Sequence, residues 1–311
     1  MIPLKKYDHR IPAWDSSMLT NRNCPFCGCL DYKKVYIRPD QLNIVLCDAC
    51  GTHYVSPGPN EDALDIFYKS YYGDHSINLE VNNNYYKNIC ASDIFEDVRI
   101  GVLTTLLDIS KSQVLDVGCG SGKFLLNLKY LGARVTGIDL NQEAVNIAKL
   151  NGVDRVFRIP FRDFKDDIKY DLIIMNDVIE HPLEPIKLIE KAATLLKASG
   201  LMLIWTPNND NIFTDSEKKT IRVDLEHMQY LGSRACKILS VNQNLDLVHY
   251  ESLGRCTYSP DQKINFVKKL LVSLLKVFFI YKMIKKCYTL FKFKNDRVGN
   301  YHLFVIFRKS N

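Results

Sequence analysis

Four cysteines stand in two C-x-x-C pairs, Cys24-Pro-Phe-Cys27-Gly and Cys47-Asp-Ala-Cys50-Gly, with 19 residues between the pairs. Each pair presents two thiolates on one turn, and the glycine that follows permits the bend. Two such turns meeting across a hairpin make a four-sulfur set suited to tetrahedral Zn²⁺. Four thiolates leave no position for water, so the metal expected here is structural. A redox C-x-x-C pair or free thiols are the alternatives, and Cys29 and His53 are spare ligands in the same stretch.

A second constellation begins at VLDVGCGSGKF, residues 114–124. An apolar run ends at Asp116, then Gly118, Cys119, Gly120 and Gly122 lead into a helical pattern. Glycines let the backbone turn tightly and approach a ligand closely, and the helix start behind them offers free N–H groups. The spacing is G-x-G-x-G rather than the G-x-G-x-x-G of a pyrophosphate loop. The acid before it would repel a pyrophosphate but suits a ligand carrying positive charge. A second run, VTGIDL, ends at Asp139 and Leu140. A carboxylate at that place can accept two hydroxyl hydrogen bonds from a ribose. Asp163 and Phe164 follow 24 and 25 residues later, where an adenine edge could be read. DLIIMNDVIEHP, residues 171–182, then sets Asn176, Asp177, Glu180 and His181 at or just past another run's end. His227 stands in DLEHMQYL, residues 224–231.

The elements that must position these groups alternate. Strand patterns at 113–117, 134–138, 171–175, 201–205 and 245–252, with a weaker one near Val156, interleave with helical patterns at 123–131, 141–151, 185–196 and 233–242. A last strand is expected at 302–307. This alternation predicts an α/β fold, a Rossmann-like, mostly parallel sheet with helices on both faces. Ahead of it, residues 1–60 form a small knuckled module with strands near 34–37 and 43–46, and 61–110 a helical linker. The linker holds helical patterns at 61–72 and 85–107 around Asn82, Asn83 and Asn84. Residues 111–311 form the main domain, interrupted by an insertion at 256–298.

The glycine loop, Asp139, the NDVIEHP block, LLKASG before a strand and TPN at 206–208 together resemble the class I S-adenosylmethionine-dependent methyltransferases. The likeness covers roughly residues 90–255 and the last strand. It implies that Asp116 and Gly118, Cys119, Gly120 and Gly122 hold the methionine part of the cofactor, and that Asp139 with Leu140 holds the ribose. It also sets Asp163 with Phe164 against the adenine, and Asn176 close to the sulfonium. Lys197-Ala198-Ser199-Gly200 departs from the family's usual proline and paired glycines, and is read as a tight turn all the same. The run CGTHYVSPGPNEDALDIFYKSYYG further resembles a subgroup of these enzymes found among polysaccharide and lipopolysaccharide biosynthesis proteins, in which a zinc ribbon precedes a helical linker ending in paired tyrosines. His53 departs from the aliphatic residue usual there.

Methyl transfer from a sulfonium is an in-line displacement, so alignment supplies much of the acceleration and a base adds ~10²–10⁴-fold where the acceptor is a hydroxyl. His227 is the candidate general base and His181 a residue lining the site. The plainer reading is that His181 caps the next helix and His227 orders a loop. Tyr71, Tyr72 and Tyr85 either close over the cofactor or form linker core.

Of 311 residues, 47% are apolar and 24% charged, and mean hydropathy is −0.12. This excludes a disordered or collagen-like chain. No run reaches the ~18–20 apolar residues of a spanning helix, and MIPLKKYDHRIPAW has no apolar signal core, so a cytoplasmic location is expected. The net charge of +6 is local. Residues 261–297 carry ten Lys/Arg against Asp261 and Asp296, leaving the rest of the chain at −2. Within that stretch, 264–292 is an apolar run flanked by lysines, with only Lys276 charged between 270 and 281. It could lie on the inner face of an anionic membrane as a peripheral contact, or pack as a lid or dimer helix. The expected acceptor is a sugar or a lipid-linked glycan. An RNA methyltransferase using the ribbon for RNA, and a quinone-type O-methyltransferase, are the alternatives. Against nucleic acid, Arg22, Lys33, Lys34 and Arg38 are nearly balanced by Asp31, Asp40 and Asp48. The oligomeric state is not legible.

Overall fold

The computed structural model describes residues 14–74, 94, 97–212, 225–253 and 301–310. Tyr85, Asn82 to Asn84, the side chains of Tyr71 and Tyr72, the 256–298 insertion and the basic run 264–292 lie outside the described residues.

Near the N-terminus, β1 (Leu19–Thr20) pairs with β5 (Gly58–Pro59), and β2 (Tyr32–Ile37), β3 (Asn43–Cys47) and β4 (His53–Val55) form a three-stranded antiparallel sheet. Helix α1 (Glu61–Asp74) follows, then α2 (Val98–Leu106), whose N-cap Asp97 accepts a hydrogen bond from the Arg99 amide.

The main sheet has seven strands: β6 (Gln113–Val117), β7 (Arg134–Asp139), β8 (Arg155–Arg158), β9 (Tyr170–Asn176), β10 (Leu196–Pro207), β11 (Leu245–Leu253) and β12 (His302–Lys309). Their order is β11-β12-β10-β9-β6-β7-β8. All neighbours from β10 to β8 run parallel, and β12 runs antiparallel to both β10 and β11. The connections are α3 (Lys123–Tyr130), α4 (Gln142–Leu150), α5 (Pro185–Leu195) and α6 (Ser233–Asn242). The expected α/β architecture is thus observed. Asn141 caps α4 through the Glu143 and Ala144 amides, and Gly132 and Gly152 end α3 and α4 at positive φ.

Successive strand residues divide between two cores, as the pleat requires. Leu115, Val117, Ile173, Met175, Met202 and Ile204 face one side, and Val114, Leu172, Ile174, Leu201 and Leu203 the other. The first core also contains Cys24, Phe26, Val45, Cys47 and Tyr54. The knuckled module therefore shares its interior with the main sheet.

One expectation is corrected. LLKASG was expected to turn before the strand, but β10 starts at Leu196 and carries the irregularity within it. Leu196 pairs with Tyr170 and Leu201 with Leu172, so five steps on one strand match two on the other. The surplus residues bulge out, with Ser199 at φ +59°.

Candidate functional site

β6 has β7 on one side and β9 on the other, so the chain order reverses there. In open α/β sheets the ligand crevice lies outside the strands' carboxyl ends at such a point. The sequence supplies glycines at that place for steric reasons. Gly118 has φ +72°, and a Cβ there would lie 2.8 Å from Val178 Cγ2. At Gly122, φ +78°, it would lie 2.6 Å from Val153 Cγ2. Gly120, φ +53°, differs: a Cβ there would meet no atom of the described residues within 4 Å. The amides of Gly118 and Cys119 both donate to Ile138 O, at 2.9 and 3.0 Å, which ties the loop to the end of β7. Cys119 itself is buried against Gly137.

Two carboxylates flank this loop. Asp139 accepts from the Gly120 amide at 2.8 Å and the Asn141 amide at 2.8 Å, one on each oxygen. Each oxygen keeps a lone pair for a further donor. Burial holds the Asp139 carboxyl above its ordinary value despite these bonds. Asp116 is 2% exposed, and its Oδ1 has no hydrogen-bond partner among the described residues. Burial pushes its pKa up to about 8; Arg99 opposes the rise and Asp139 adds to it. A buried carboxylate without a donor is costly and is the kind of group a bound cation satisfies. S-adenosylmethionine carries an ammonium and a ribose diol, so the donor and acceptor sets here fit it.

Arg99, which sequence reasoning missed, reaches the same crevice from α2. It pairs with Asp97 through two bonds of 2.9 and 2.6 Å, and donates to Asn176 Oδ1 at 2.9 Å. Its guanidinium lies 4.3 Å from the Phe124 ring centre and 4.9 Å from that of Trp205. The arrangement joins Asn176, at the end of β9, to a helix 77 residues away. Asp163 and Phe164 separate. Phe164 is buried, with the exposed Phe157 ring at a centroid distance of 6.2 Å, whereas the Asp163 side chain is 61% exposed and lies 3.8 Å from Arg162. Leu140 is exposed, and its carbonyl accepts from Arg158.

On the other side of the β9 end, Glu180, His181 and His227 converge. Their ligand-type atoms lie within 4.8 Å of one another. Glu180 is fully buried; Thr206 Oγ1 donates to its Oε2 at 2.9 Å, and His227 Nε2 lies 3.9 Å from its Oε1. Burial drives the Glu180 carboxyl well above the carboxylate range, and nearby Asp177 adds to the rise. The His181 and His227 rings meet edge to face at 5.0 Å. Two imidazoles and a carboxyl this close can share a proton or hold a cation. Glu184 stands at the N-cap of α5, and His181 Nδ1 lies 3.3 Å from Glu226 O.

The four cysteines of the knuckles also converge, with all Sγ atoms within 4.8 Å of one another. Cys24 and Cys50 are 3.4 Å apart and Cys27 and Cys47 3.5 Å. A tetrahedron with Zn–S of 2.3 Å has S–S edges of about 3.8 Å, so the cluster fits a zinc ion with small adjustments. Gly28 and Gly51 take φ +74° and +70° to close the two turns. The spare ligands stand apart: Cys29 Sγ faces Asp31 O, and His53 Nδ1 lies 3.0 Å from Asn209 Oδ1.

Known proteins share the main domain. The family described as "Methyltransferase domain" matches residues 73–250. Ubiquinone biosynthesis O-methyltransferase of Xanthomonas oryzae pv. oryzae is 33% identical over 118 residues, covering 36% of this chain and 49% of the relative. The protein of the same name from Colwellia psychrerythraea is 34% identical over 103 residues, 31% of this chain and 42% of the relative. The chain thus spans about half the length of the curated relatives it matches. Among solved structures, magnesium protoporphyrin IX methyltransferase from Synechocystis PCC 6803 is 13% identical with a TM-score of 0.49, covering 79% of this chain and 97% of that one. The family match takes in the glycine loop, Asp139 and the NDVIEHP block and extends over more than half of the sequence, so this chain belongs to the methyltransferase-domain family.

Proposed function

We propose that this chain transfers a methyl group from S-adenosylmethionine to a hydroxyl of a sugar or lipid-linked glycan. The observation that carries the transfer reading is the buried Asp116 oxygen beside the glycine loop, without a partner among the described residues, with Asp139 across from it. Asp116 would pair with the cofactor's ammonium, the remaining lone pairs of Asp139 with the ribose hydroxyls, and Phe164 would lie against the adenine. Gly118, Cys119, Gly120 and Gly122 form the backbone wall beside the methionine part, with Leu140 next to the ribose. Arg99 and Asn176 close the opposite wall. The cofactor supplies an electrophilic methyl group.

His227 is the proposed base. A proton taken from the acceptor hydroxyl by its ring places positive charge 3.9 Å from Glu180 Oε1, which favours the ionised form of that carboxyl and so steadies the imidazolium. His181 lines the same side. The cluster of Cys24, Cys27, Cys47 and Cys50 holds a structural Zn²⁺ in this reading.

The sugar acceptor rests on the zinc-ribbon resemblance. Peripheral membrane contact through 264–292 would suit a lipid-linked acceptor; among the described residues, no helix is long and apolar enough to cross a membrane. Likeness to ubiquinone O-methyltransferases favours a quinone-type acceptor as the second reading. RNA is disfavoured because Arg22 and Arg38 spend their donors inside the protein, which leaves Lys33 and Lys34 against Asp31 and Asp48.

The test is transfer of labelled methyl from S-adenosylmethionine into fractionated cell extract: lipid-linked glycan, sugar nucleotide, quinone and RNA. Label in a glycan or sugar fraction supports the proposal. Label in quinone, or RNase-sensitive label, replaces it with the corresponding alternative. His227→Ala should lower transfer ~10²-fold or more with S-adenosylhomocysteine affinity unchanged, and full turnover would remove the base role.

A further inference from the structure

The segment that carries His227 is held by side chains of the knuckled module. Arg38 follows β2, in the turn that leads to β3, and its side chain is fully buried. Asp40, equally buried, grips the guanidinium at both ends: Nε to Oδ1 at 3.0 Å and Nη2 to Oδ2 at 2.7 Å. That fork fixes the plane in which the remaining N–H groups point. They donate to His227 O at 2.7 Å and to Leu225 O. Between these two carbonyls, Glu226 O lies 3.1 Å from the Tyr68 hydroxyl. Beyond them, Met228 O accepts from the Val55 amide at 2.8 Å. Four consecutive carbonyls, 225 to 228, are therefore held by residues that precede the main domain in sequence.

Geometry turns this into control of one side chain. The carbonyls of 226 and 227 mark the two peptide planes that flank the His227 Cα. Fixing both planes fixes the direction of its Cα–Cβ bond. A buried ion pair contributes little net stability, because desolvation offsets its attraction. Its fork geometry nevertheless determines position.

We propose that Arg38 and Asp40 are a positioning pair that sets the His227 imidazole beside Glu180, which makes the knuckled module part of the acceptor side of the site. The proposal rests on His227 acting as the base. Its structural half can be tested without turnover.

The experiment compares the whole 311-residue chain, loaded with zinc, with its Arg38→Met/Asp40→Asn and Arg38→Lys variants. The double variant removes both charges together, and the amide introduced by Asp40→Asn keeps an acceptor for the Trp14 indole N–H, which lies 2.9 Å from Asp40 Oδ2. Arg38→Lys keeps the charge but not the fork, and covers the case in which the double variant does not fold. Four quantities are read: melting temperature, S-adenosylhomocysteine affinity, hydrogen exchange of the Met228 and Gln229 amides, and methyl transfer into the labelled fraction. Both amides donate to Glu180 O, so they report whether the segment stays on its partner.

The expected result is unchanged S-adenosylhomocysteine affinity, with amide exchange faster and transfer slower by about tenfold or more each, the scale set by losing charge-assisted hydrogen bonds. Arg38→Lys, which keeps the charge but loses the fork, should likewise speed amide exchange and slow transfer with S-adenosylhomocysteine affinity unchanged. Wild-type exchange in a folded variant overturns the proposal, as does full transfer despite faster exchange. If His227→Ala keeps full turnover, the base assignment fails, and the exchange data alone then decide whether the pair positions the segment.

Discussion

Asp116 offers the sharpest test of the cofactor site. Its carboxyl is 2% exposed, has an oxygen without a donor among the described residues, and has a pKa pushed up to about 8 by burial. In the ligand-free protein at pH 6 it therefore holds a proton. Pairing with the ammonium of S-adenosylhomocysteine requires the ionised form, so binding must expel that proton. Below a pKa of about 8, affinity should rise with pH as the ionised fraction rises. Between pH 6.0 and 7.5 the ionised fraction grows roughly 25-fold, equivalent to about 1.9 kcal/mol of binding free energy. Calorimetry at both pH values, in buffers of different ionisation enthalpy, would give the affinity ratio and the protons released. We expect close to one proton released at pH 6.0 from the wild type, and a flat, weaker profile with no release from Asp116→Asn. The apoprotein should behave in the opposite sense. A carboxyl whose folded pKa exceeds its unfolded value of about 3.8 holds the proton better when folded, so this group's contribution to stability is lost as pH rises from about 4 through 8. Asp116→Asn should lessen that loss. A wild-type affinity independent of pH, or a pH dependence that survives in Asp116→Asn, would refute the reasoning.

Other outcomes follow from the same geometry. Gly122→Ala places a Cβ 2.6 Å from Val153 Cγ2 at a φ of +78°, and should cost roughly 2–3 kcal/mol in urea unfolding. Gly120→Ala meets no atom of the described residues, so it should cost roughly 1 kcal/mol of stability through its positive φ but weaken S-adenosylhomocysteine binding more strongly; equal effects from the two variants would contradict this contrast. Cys47→Ser should remove one zinc per chain by elemental analysis and lower the melting temperature. It should also speed exchange of the Tyr230 amide, which donates to His53 O at 3.0 Å on β4. A metal-free wild type with an unaltered melt would remove zinc from the account.

The glycine loop and its acids, the proposed cofactor crevice, could be picked out from sequence because their parts are local. Asp116 and three glycines fall within seven residues, and each glycine answers a local demand for positive φ or close approach. The alternation of strand and helix has a period that reads directly from apolar residues, so β6 to β10 were expected as elements, while their order in the sheet came from the structure. The LLKASG bulge was not expected, because five residues matched against two is a property of the pairing with β9 and not of the hexapeptide. Asp163 and Phe164 are neighbours in sequence, yet one is exposed and the other buried, since a short helical turn directs them apart.

The amino-acid sequence alone determined the α/β class, the glycine loop with its acids, and the four cysteines that could meet, because each depends on spacings within about 30 residues. Only the tertiary structure decided what stands opposite them. Arg99 meets Asn176 across 77 positions, Arg38 meets the His227 carbonyl across 189, and Arg22 meets Gln229 across 207. Nothing in a local pattern distinguishes those three arginines from solvated ones. Their surroundings do: Arg38 is buried and Arg22 and Arg99 half-buried, and a guanidinium drawn out of water must find carbonyls and carboxylates wherever the fold supplies them.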